Sequence, residues 1–330
     1  MPNTYNRPVA LVTGGAGFVG SHLVSSLIAR GEDVLIVDDL STGEVRNLQV
    51  PISSGHATFV HADVAMPVDE LCRLVSRSGF ARLNSIFHLA SPASPEAYSA
   101  DPWGTLKVNS IGTMSLIELA LRFKARLLFA STSEIYGDPL VHPQPESYFG
   151  NVDTLGPRAC YDEGKRFGEA AVSSAVRSMN LDGRIVRLFN CYGPNMDMQD
   201  GRLIPALMDA VIAGRKLPIQ GTGTQTRSMT FVADAVDLIL RVIDGEQRVL
   251  QPVNVGNDDE RSVLEIARAV AAIAGIPFDI EFVTAREGDP QRRKPELTIA
   301  RQYGWKPATS LEDGLRATFT WFTKERLSFA

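Results

Sequence analysis

The chain has 330 residues, of which 44% are hydrophobic and 22% charged, and its formal net charge at pH 7 is −5. This length allows a large core and favours two domains, and the composition is typical of a soluble globular protein. The negative charge and the lack of a Lys/Arg block argue against nucleic-acid and membrane-surface partners. No apolar run approaches the length that spans a membrane.

The cysteines and histidines give no sign of a disulfide framework or a metal centre. Cys72, Cys160 and Cys191 are odd in number, widely spaced and without a C-x-x-C pair, which is typical of reduced thiols. The five histidines are scattered without ligand spacing, so no metal is expected. The N-terminal MPNTYNRP has no apolar segment of a signal peptide. We therefore expect a cytoplasmic protein.

The N-terminal segment has the pattern of a strand, a glycine turn and a helix. The apolar run Pro8–Val12 is followed by TGGAGFVG and by a helical pattern through Arg30. The spacing of Gly14, Gly17 and Gly20 permits a tight turn, close approach of a pyrophosphate and close helix–strand packing, while the helix N-terminus supplies N–H donors. The segment therefore predicts a dinucleotide-binding turn; the alternative is a purely structural glycine loop.

Two carboxylates follow the next apolar runs. Val34–Val37 ends in Asp38, whose carboxylate can accept hydrogen bonds from the adenosine ribose and would repel a 2′-phosphate. Thr58–Val60 precedes Asp63, which could reach the adenine amino group. The pattern favours NAD over NADP.

Strands and helices continue to alternate as far as residue 190. Strands are predicted at Ser85–Leu89, Leu127–Ala130 and Arg184–Phe189, and helices at Thr105–Arg122 and Gly156–Met179. This alternation indicates right-handed crossovers and a parallel, doubly wound sheet that binds ligands at its carboxyl edge. The predicted class is α/β: a NAD-binding Rossmann sheet with a smaller C-terminal α/β substrate domain.

After Asn190 frequent glycines and prolines separate short elements. A strand and a helix over Met229–Ile243 are predicted to return to the first domain. Ser262 and Glu265 form a capping-box pattern, and Leu311–Phe322 is predicted to be a last amphipathic helix. The predicted NAD-binding domain covers 1–190 and about 228–256, and the substrate domain covers about 191–227 and 257–330.

The stretch CYDEGKR in the Gly156–Met179 helix carries a candidate catalytic pair. On a helix, Tyr161 and Lys165 lie on one face, one turn apart. A phenol with its ordinary pKa of about 10 is a poor base at neutral pH, whereas a nearby ammonium or a positive nicotinamide lowers that pKa. The pair therefore suits a proton acceptor for a hydroxyl that loses hydride. The alternative is an ordinary pair on a helix surface.

Seven motifs stand along the chain: TGGAGFVG, LASPASP, STSEIYGDP, GPRACYDEGKR, RLFNCYGP, GTGTQTR and QRRKP. Together they closely resemble the extended short-chain dehydrogenase/reductases and, more narrowly, the UDP-glucuronate decarboxylases, also called UDP-xylose synthases. The similarity runs from about Arg7 to Phe322. The glycine motif and Tyr-x-x-x-Lys mark only the superfamily, whereas LASPASP, STSE with Tyr-Gly-Asp-Pro, and QRRKP are narrower.

The resemblance implies an oxidation, a decarboxylation and a reduction within one site. NAD⁺ accepts hydride from C4 of the glucuronate while Tyr161 takes the hydroxyl proton, and Lys165 lowers the tyrosine pKa and binds the nicotinamide ribose. The C4 ketone makes the substrate a β-keto acid, which loses CO₂. Protonation at C5 and return of hydride then give the UDP-pentose, so NAD is expected to be tightly held.

The same resemblance implies further catalytic groups. Ser133, with Thr132 beside it, can hydrogen-bond O4 and stabilise developing charge. Glu134 suits a role in orienting the ring or handling the proton at C5, unless it is an ordinary solvated carboxylate. Arg293, in the cationic loop Arg286–Pro295, could bind the substrate carboxylate before CO₂ leaves; the alternative is a surface arginine.

The expected binding residues fall into two groups. Those for NAD are Gly14, Gly17, Phe18, Val19, Asp38, Asp39, Ser41, Thr42, Asp63, Val64, Leu89, Ala90, Ser91, Tyr161 and Lys165. Those for the nucleotide-sugar are Tyr98, Lys107, Asn190, Arg202, Gln225, Arg227 and Arg293, of which Arg202 and Arg227 suit the diphosphate. Cys160 is not expected to be a nucleophile because no histidine partner is evident, and Cys191 is expected to line the nicotinamide site.

Some departures and alternatives stay open. Asn195 stands where the family usually has arginine, so a dTDP-sugar substrate is conceivable, and the Asp39–Gly43 loop lacks a more usual aromatic pair. A decarboxylase that releases the 4-keto pentose shares nearly all these residues. A dTDP-glucose 4,6-dehydratase is expected to carry Asp-Glu at Ser133-Glu134, and a UDP-glucuronate 4-epimerase is not expected to combine Glu134 with Arg293. A non-enzymatic NAD sensor typically lacks the Tyr/Lys pair.

The resemblance also implies a homodimer in which the Thr105–Arg122 and Gly156–Met179 helices form a four-helix bundle.

Overall fold

The computed structural model describes residues 7–246, 251–285 and 290–328. The described strands are β1 Val9–Thr13, β2 Asp33–Asp38, β3 Ala57–His61, β4 Ser85–His88, β5 Arg126–Thr132, β6 Gly183–Leu188, β7 Cys191–Tyr192, β8 Leu217–Gln220, β9 Thr226–Ser228, β10 Thr230–Phe231, β11 Val253–Val255, β12 Glu260–Ser262, β13 Ile280–Val283 and β14 Arg292–Arg293. The described α-helices are α1 Phe18–Ala29, α2 Gln49–Ser53, α3 Val68–Arg77, α4 Pro95–Ala100, α5 Pro102–Lys107, α6 Thr113–Phe123, α7 Ala159–Met179, α8 Leu203–Ile212, α9 Val232–Asp244, α10 Val263–Ala274, α11 Thr298–Gln302 and α12 Leu311–Ser328.

The central sheet has the strand order β11-β6-β5-β4-β1-β2-β3, and its neighbouring strands all run parallel. The chain begins at β1, builds outward through β2 and β3, and then crosses to β4 on the other side of β1. The point between β1 and β4, where the winding reverses, is where sheets of this kind form a crevice for ligands. The predicted parallel, doubly wound sheet is confirmed.

Apolar side chains cover both faces of this sheet. All five residues of β1 and all four of β4 are buried, as expected for strands that have helices on both sides. One cluster joins α1 and α9 to one face, and a second joins α3, α6 and α7 to the other. Burial on both faces fixes the strand register, and with it the positions of the side chains at the carboxyl edge.

Two predicted helices differ from those observed. The Thr105–Arg122 helix begins earlier, at Pro102, and a π-helical turn over Val108–Gly112 separates α5 from α6. The Gly156–Met179 helix begins only at Ala159, since Gly156 precedes a proline and is therefore disfavoured in a helix. Helix α7 thus starts directly after Arg158.

The C-terminal part has an apolar cluster of its own between α8, α10 and α12. Three short sheets accompany it: β12-β9-β14, β13-β8 and β10-β7. The predicted capping box is confirmed, because Ser262 Oγ accepts from Glu265 N and the Glu265 carboxylate accepts from Ser262 N. Of the predicted loop Arg286–Pro295, residues 286–289 lie outside the described residues. Within the described ranges, no helix has both the length and the apolar character needed to cross a membrane.

Candidate active site

A cavity of about 920 Å³ opens at the carboxyl edge of the central sheet. Every residue predicted from the sequence for NAD binding, catalysis or substrate binding lines it, together with Asn195 and Cys191. These residues come from β1 through β14 and are up to 279 positions apart (Gly14 to Arg293). The residues of the first 190 positions come together because the carboxyl ends of the parallel strands meet along one edge, whereas Arg202, Gln225, Arg227 and Arg293 are brought to the cavity by the C-terminal part.

The glycine turn after β1 is packed too closely for side chains. Gly14 has φ +72°, and a Cβ added there would lie 2.6 Å from the backbone nitrogen of Ala90. A Cβ at Gly20 would lie 2.1 Å from the carbonyl oxygen of Gly14. Gly17 is the N-cap of α1 and carries no side-chain cap, so the first N–H groups of α1 face the cavity side of the turn. A turn with exposed N–H donors at a helix N-terminus fits the pyrophosphate of a dinucleotide.

Asp38 is the last residue of β2 and is held by the backbone. Its Oδ2 accepts from Ala16 N and its Oδ1 from Leu40 N, both at 2.9 Å. Burial raises the pKa of Asp38, although these two hydrogen bonds partly oppose the shift. The carboxylate is therefore fixed in the cavity wall beside the glycine turn. Its predicted contact with a ribose stays a prediction, as does the contact of Asp63 with adenine.

Tyr161 and Lys165 lie together on α7, as predicted, but their charges are set mainly by burial. Burial raises the pKa of Tyr161 to about 12, partly offset by a hydrogen bond with the Thr132 hydroxyl and by the charge of Arg202. Burial lowers the pKa of Lys165 to about 7, and its Nζ donates to the carbonyl oxygen of Ala130 at 2.9 Å. The groups that lower the pKa of Tyr161 in the protein without a ligand are thus Thr132 and Arg202, and the predicted lowering by Lys165 stays a prediction.

Thr132 and Ser133 stand differently in the site. Both are buried and line the cavity, but it is Thr132 whose hydroxyl hydrogen-bonds Tyr161. Thr132 also accepts from the backbone N of Glu134 at 3.2 Å. Thr132 is therefore the hydroxyl in contact with Tyr161, and the role predicted for Ser133 at the substrate O4 stays a prediction.

Tyr98 covers the other side of the catalytic tyrosine. The two rings stack with centroids 5.1 Å apart and planes 8° apart. The hydroxyl of Tyr98 is buried and has no hydrogen-bond partner within the described part of the chain. A buried hydroxyl without a partner is costly, and it lines a cavity in which a polar ligand would satisfy it.

Glu134 is bound by two arginines, of which the sequence analysis identified only one. Arg293 Nη2 donates to Oε2 of Glu134 at 2.8 Å, and its Nη1 contacts Oε1. Arg158, which was not predicted, donates from Nη2 to the same Oε2. The solvated carboxylate and the surface arginine considered above are both wrong, since the side chains of Glu134 and Arg293 are only 13% and 7% exposed. The signal that could have found Arg158 is its place three residues before Tyr161.

Asn109 is a second residue that the sequence analysis missed. It lies in the π-helical turn, and its Nδ2 donates to Ser91 Oγ at 2.9 Å and to Thr105 O at 2.8 Å. Its Oδ1 is buried without a partner in the described structure. π-Helical turns occur often at functional sites, and this one fixes the Ser91 side of the cavity.

The side chains expected to bind the substrate differ in whether the protein itself already supplies their hydrogen-bond partners. Arg202 is paired with Asp200, its Nη2 donating to Oδ2 at 2.6 Å. Arg227 Nη1 and Gln225 Nε2 each donate to a nearby carbonyl at 2.8 Å. Lys107 is exposed, and Asn190 has a left-handed φ of +32° and a buried Nδ2 without a partner among the described residues. Asn190 thus has a buried polar nitrogen with no protein partner in the described structure.

Asn195 occupies the position where the resemblance leads one to expect arginine. It has φ +66°, a conformation that asparagine tolerates better than most residues. Its Nδ2 donates to Ser21 Oγ on α1 at 3.0 Å, so it ties the loop after β7 to the helix that follows the glycine turn.

The cysteines show no sign of nucleophilic activation. Burial raises the pKa of Cys191 to about 12 and also raises the pKa of Cys160, which disfavours the thiolate. Cys160 Sγ donates to the carbonyl oxygen of Tyr98 at 3.7 Å. Across residues 7–246, 251–285 and 290–328, no group of three or more His, Cys, Asp or Glu side chains is placed to hold a metal ion.

The chain belongs to the NAD dependent epimerase/dehydratase family, whose model matches residues 10–256. The prediction of NAD as the cofactor is thereby confirmed. UDP-glucuronic acid decarboxylase 1 of Xenopus tropicalis is 41% identical over 321 residues, which are 97% of this chain and 73% of the relative. The resemblance to UDP-glucuronate decarboxylases is therefore confirmed.

Solved structures with this fold include enzymes of other reactions. UDP-glucose 4-epimerase from Thermotoga maritima, with UDP-glucose, has a TM-score of 0.86 at 28% identity and covers 96% of this chain and 99% of its own. A dTDP-glucose 4,6-dehydratase from Streptomyces venezuelae, with NAD bound, has a TM-score of 0.85 at 27% identity and covers 97% of this chain and 98% of its own. The fold is thus shared, while the reaction depends on the residues of the cavity.

Proposed function

We propose that this protein is a UDP-glucuronate decarboxylase that converts UDP-glucuronate to UDP-xylose with tightly bound NAD. The observation that carries the proposal is the Arg293–Glu134 pair, which lies in the same cavity as Tyr161 and Lys165. Arg293 supplies a buried cation for a carboxylate, and Tyr161 a phenol for a hydroxyl. A substrate that bears both groups on one sugar ring satisfies both. The 41% identity to the frog decarboxylase supports the same conclusion.

NAD, when bound, supplies a reversible hydride acceptor beside the C4 position of the sugar. Tyr161 takes the proton of the C4 hydroxyl, and Thr132 holds the same oxygen. Lys165 carries the positive charge that favours the phenolate. Once C4 is a ketone, the carboxylate at C5 is that of a β-keto acid, and its C–C bond breaks to give CO₂ and an enolate. Glu134 then orients the ring or handles the proton that C5 gains. When the C4 ketone is reduced by the hydride that C4 first gave up, Tyr161 returns its proton to the C4 oxygen, which gives the alcohol of UDP-xylose.

Arg293 holds the substrate carboxylate before CO₂ leaves. A guanidinium can bind a carboxylate with two parallel hydrogen bonds, and Arg293 uses both terminal nitrogens on Glu134. The same fork can therefore pass to the substrate. Release of CO₂ removes the negative charge that Arg293 binds, which favours return of the arginine to Glu134.

The test is a proton NMR time course with purified protein and UDP-glucuronate, without added reductant. We expect UDP-xylose to form with no net NADH, and Tyr161→Phe to lower the rate by about 100-fold or more. Formation of the 4-keto pentose with stoichiometric NADH would indicate instead a decarboxylase that releases its oxidised product. Untouched UDP-glucuronate with turnover of dTDP-glucuronate would reassign the nucleotide, with Asn195 as the residue responsible.

We further propose the arrangement of the whole protein. A NAD-binding domain of 1–190 and about 228–256 and a nucleotide-sugar domain of about 191–227 and 257–330 agree with the separate apolar cluster of the C-terminal part. A homodimer through α5, α6 and α7 is supported by apolar side chains exposed on these helices. The free thiols of all three cysteines support a reducing, cytoplasmic location.

A further inference from the structure

Glu134 is held from two sides by guanidinium groups from distant parts of the chain. Arg293, on β14, contacts both carboxylate oxygens. Arg158, directly before α7, contacts Oε2, the oxygen that also accepts from Arg293 Nη2. The side chains of Glu134 and Arg158 are only 13% and 16% exposed, and both line the cavity. The proposed reaction uses Arg293 and Glu134 but leaves Arg158 without a role.

We propose that Arg158 is a positioning residue that holds Glu134 ionised and in place when Arg293 binds the substrate carboxylate. The inference rests on the proposed function, because only a substrate with a carboxylate draws Arg293 away from Glu134.

The reason is the charge balance of the buried site. Arg293 binds Glu134 through both terminal nitrogens, so at least one of these contacts is lost when the fork turns to a second carboxylate. With Arg293 alone, Glu134 and the substrate carboxylate would share one cation, and one of them would be driven to take up a proton. With Arg158 present, Glu134 and the substrate carboxylate each have a guanidinium in close contact, and the third carboxylate near these arginines, Asp162, is farther from Arg158, at 3.9 Å.

Asp162, one turn along α7 from Arg158, competes with Glu134 only weakly. Its Oδ2 is 3.9 Å from Arg158 Nε, beyond hydrogen-bond distance. Its Oδ1 is buried without a hydrogen-bond partner in the described residues. Burial raises the pKa of Asp162 to about 6, against the opposing charges of Arg158 and Arg293. The close contact of Arg158 is therefore with Glu134.

The position of Arg158 also couples Glu134 to the catalytic tyrosine. Arg158 is the N-cap residue of α7, and its carbonyl oxygen accepts from the backbone N of Tyr161 at 3.0 Å. One helix terminus therefore fixes the phenol that removes a proton and the cation that holds the carboxylate. If Glu134 were displaced, its carboxylate would no longer be held at a fixed position relative to the Tyr161 hydroxyl, while NAD binding would not change.

The experiment is a double-mutant cycle on the NAD-loaded protein with UDP-glucuronate, using Arg158→Met, Glu134→Gln and the double variant. We expect Arg158→Met to lower kcat by about 10- to 100-fold, with KM within threefold of wild type, and Arg158→Lys to restore most of the rate. In the Glu134→Gln background, Arg158→Met should have little further effect, because its role is exercised through Glu134. Arg177→Met, an exposed arginine on the same helix, is the matched control and should behave as wild type.

Two outcomes would overturn the proposal. One is that Arg158→Met lowers kcat by the same factor in the wild-type and in the Glu134→Gln background. The other is that Arg158→Met raises KM and leaves kcat unchanged, which would make Arg158 a direct substrate ligand. A pH titration by ¹³C NMR, on protein whose glutamate side-chain carboxyls are labelled with ¹³C, gives a test that does not need turnover. The Glu134 signal, identified by its absence in Glu134→Gln, should take up its proton at a higher pH in Arg158→Met than in wild type; an unchanged titration also overturns the proposal. If the wild type leaves UDP-glucuronate untouched, the proposed function fails, and this titration still decides the role of Arg158.

Discussion

At the scale of single residues, burial sets the charges of the site. Tyr161, Asp162 and Lys165 lie within five residues of α7, and burial is the largest cause of the pKa shift at each. Each shift favours the neutral form of the side chain, so the charged forms lower the free energy of unfolding when no ligand compensates their charge. Asp162 is the member of this group that neither lines the cavity nor has a proposed role on the substrate.

We predict that Asp162→Asn changes the pH dependence of stability. The pKa of Asp162 is raised from 3.8 to about 6 in the folded protein, so between about pH 4 and pH 6 the folded protein binds more protons than the unfolded chain. Stability from this group is present below pH 4 and is lost as the pH rises through 6. The variant does not titrate there, so its unfolding free energy relative to wild type should rise by up to about 3 kcal/mol from pH 4 to pH 7.

Urea unfolding at half-unit pH steps, with both proteins in the same buffers, measures this difference. A relative free energy that stays constant from pH 4 to pH 7 would show that Asp162 titrates alike in the folded and unfolded protein. A relative free energy that falls over this range would mean that the contacts with Arg158 and Arg293 outweigh burial.

At the scale of elements, two glycines in the turn between β1 and α1 serve different purposes. Gly20 lies where α1 packs on the turn, and a Cβ there would meet the backbone of Gly14 at 2.1 Å and of Gly15 at 2.8 Å. Gly17 caps α1, and a Cβ there would meet only the Gly14 carbonyl oxygen, at 3.2 Å. Gly20 is therefore needed for packing, whereas Gly17 leaves space on the cavity side.

We therefore predict different defects for Gly20→Ala and Gly17→Ala. Gly20→Ala should lower Tm by about 5 °C or more, since the backbone must move apart. Gly17→Ala should keep Tm within about 2 °C of wild type but raise Kd for NAD by about 10-fold or more, because its methyl group occupies space next to the exposed N–H donors. Calorimetric unfolding and NAD titration of both variants measure the two effects, and similar profiles for the two variants would contradict this division.

At the scale of the whole molecule, local patterns predicted the sheet, and contacts between distant residues determined the rest. The runs that became β1 and β2 and the glycine spacing are local signals, so the parallel, doubly wound sheet and the dinucleotide-binding turn could be predicted, whereas the strand order is seen only in the structure. Whether Thr132 or Ser133 faces Tyr161 depends on how β5 ends, and β5 extends two residues beyond the predicted strand. The binding of Arg158 to Glu134 joins residues 24 positions apart, and only the structure shows that α7 begins beside them.

The helices α5, α6 and α7 expose apolar side chains that a monomer would leave in water. Trp103 on α5 is 68% exposed, Met114 on α6 51% and Phe167 on α7 43%. Large apolar residues exposed on helices that pack against one another are typical of an interface, and two copies of these helices would form the predicted four-helix bundle. Leu140, which is 81% exposed but lies in a loop outside these helices, offers a matched control.

We predict that Met114→Glu and Phe167→Glu lower the mass of the protein in solution from twice the monomer mass to the monomer mass. A charge placed in the apolar centre of an interface is desolvated without a partner, which costs several kcal/mol for each copy. Leu140→Glu should leave the mass unchanged. Light scattering coupled to size-exclusion chromatography at micromolar concentration measures all three, and a monomeric wild type would reject the dimer.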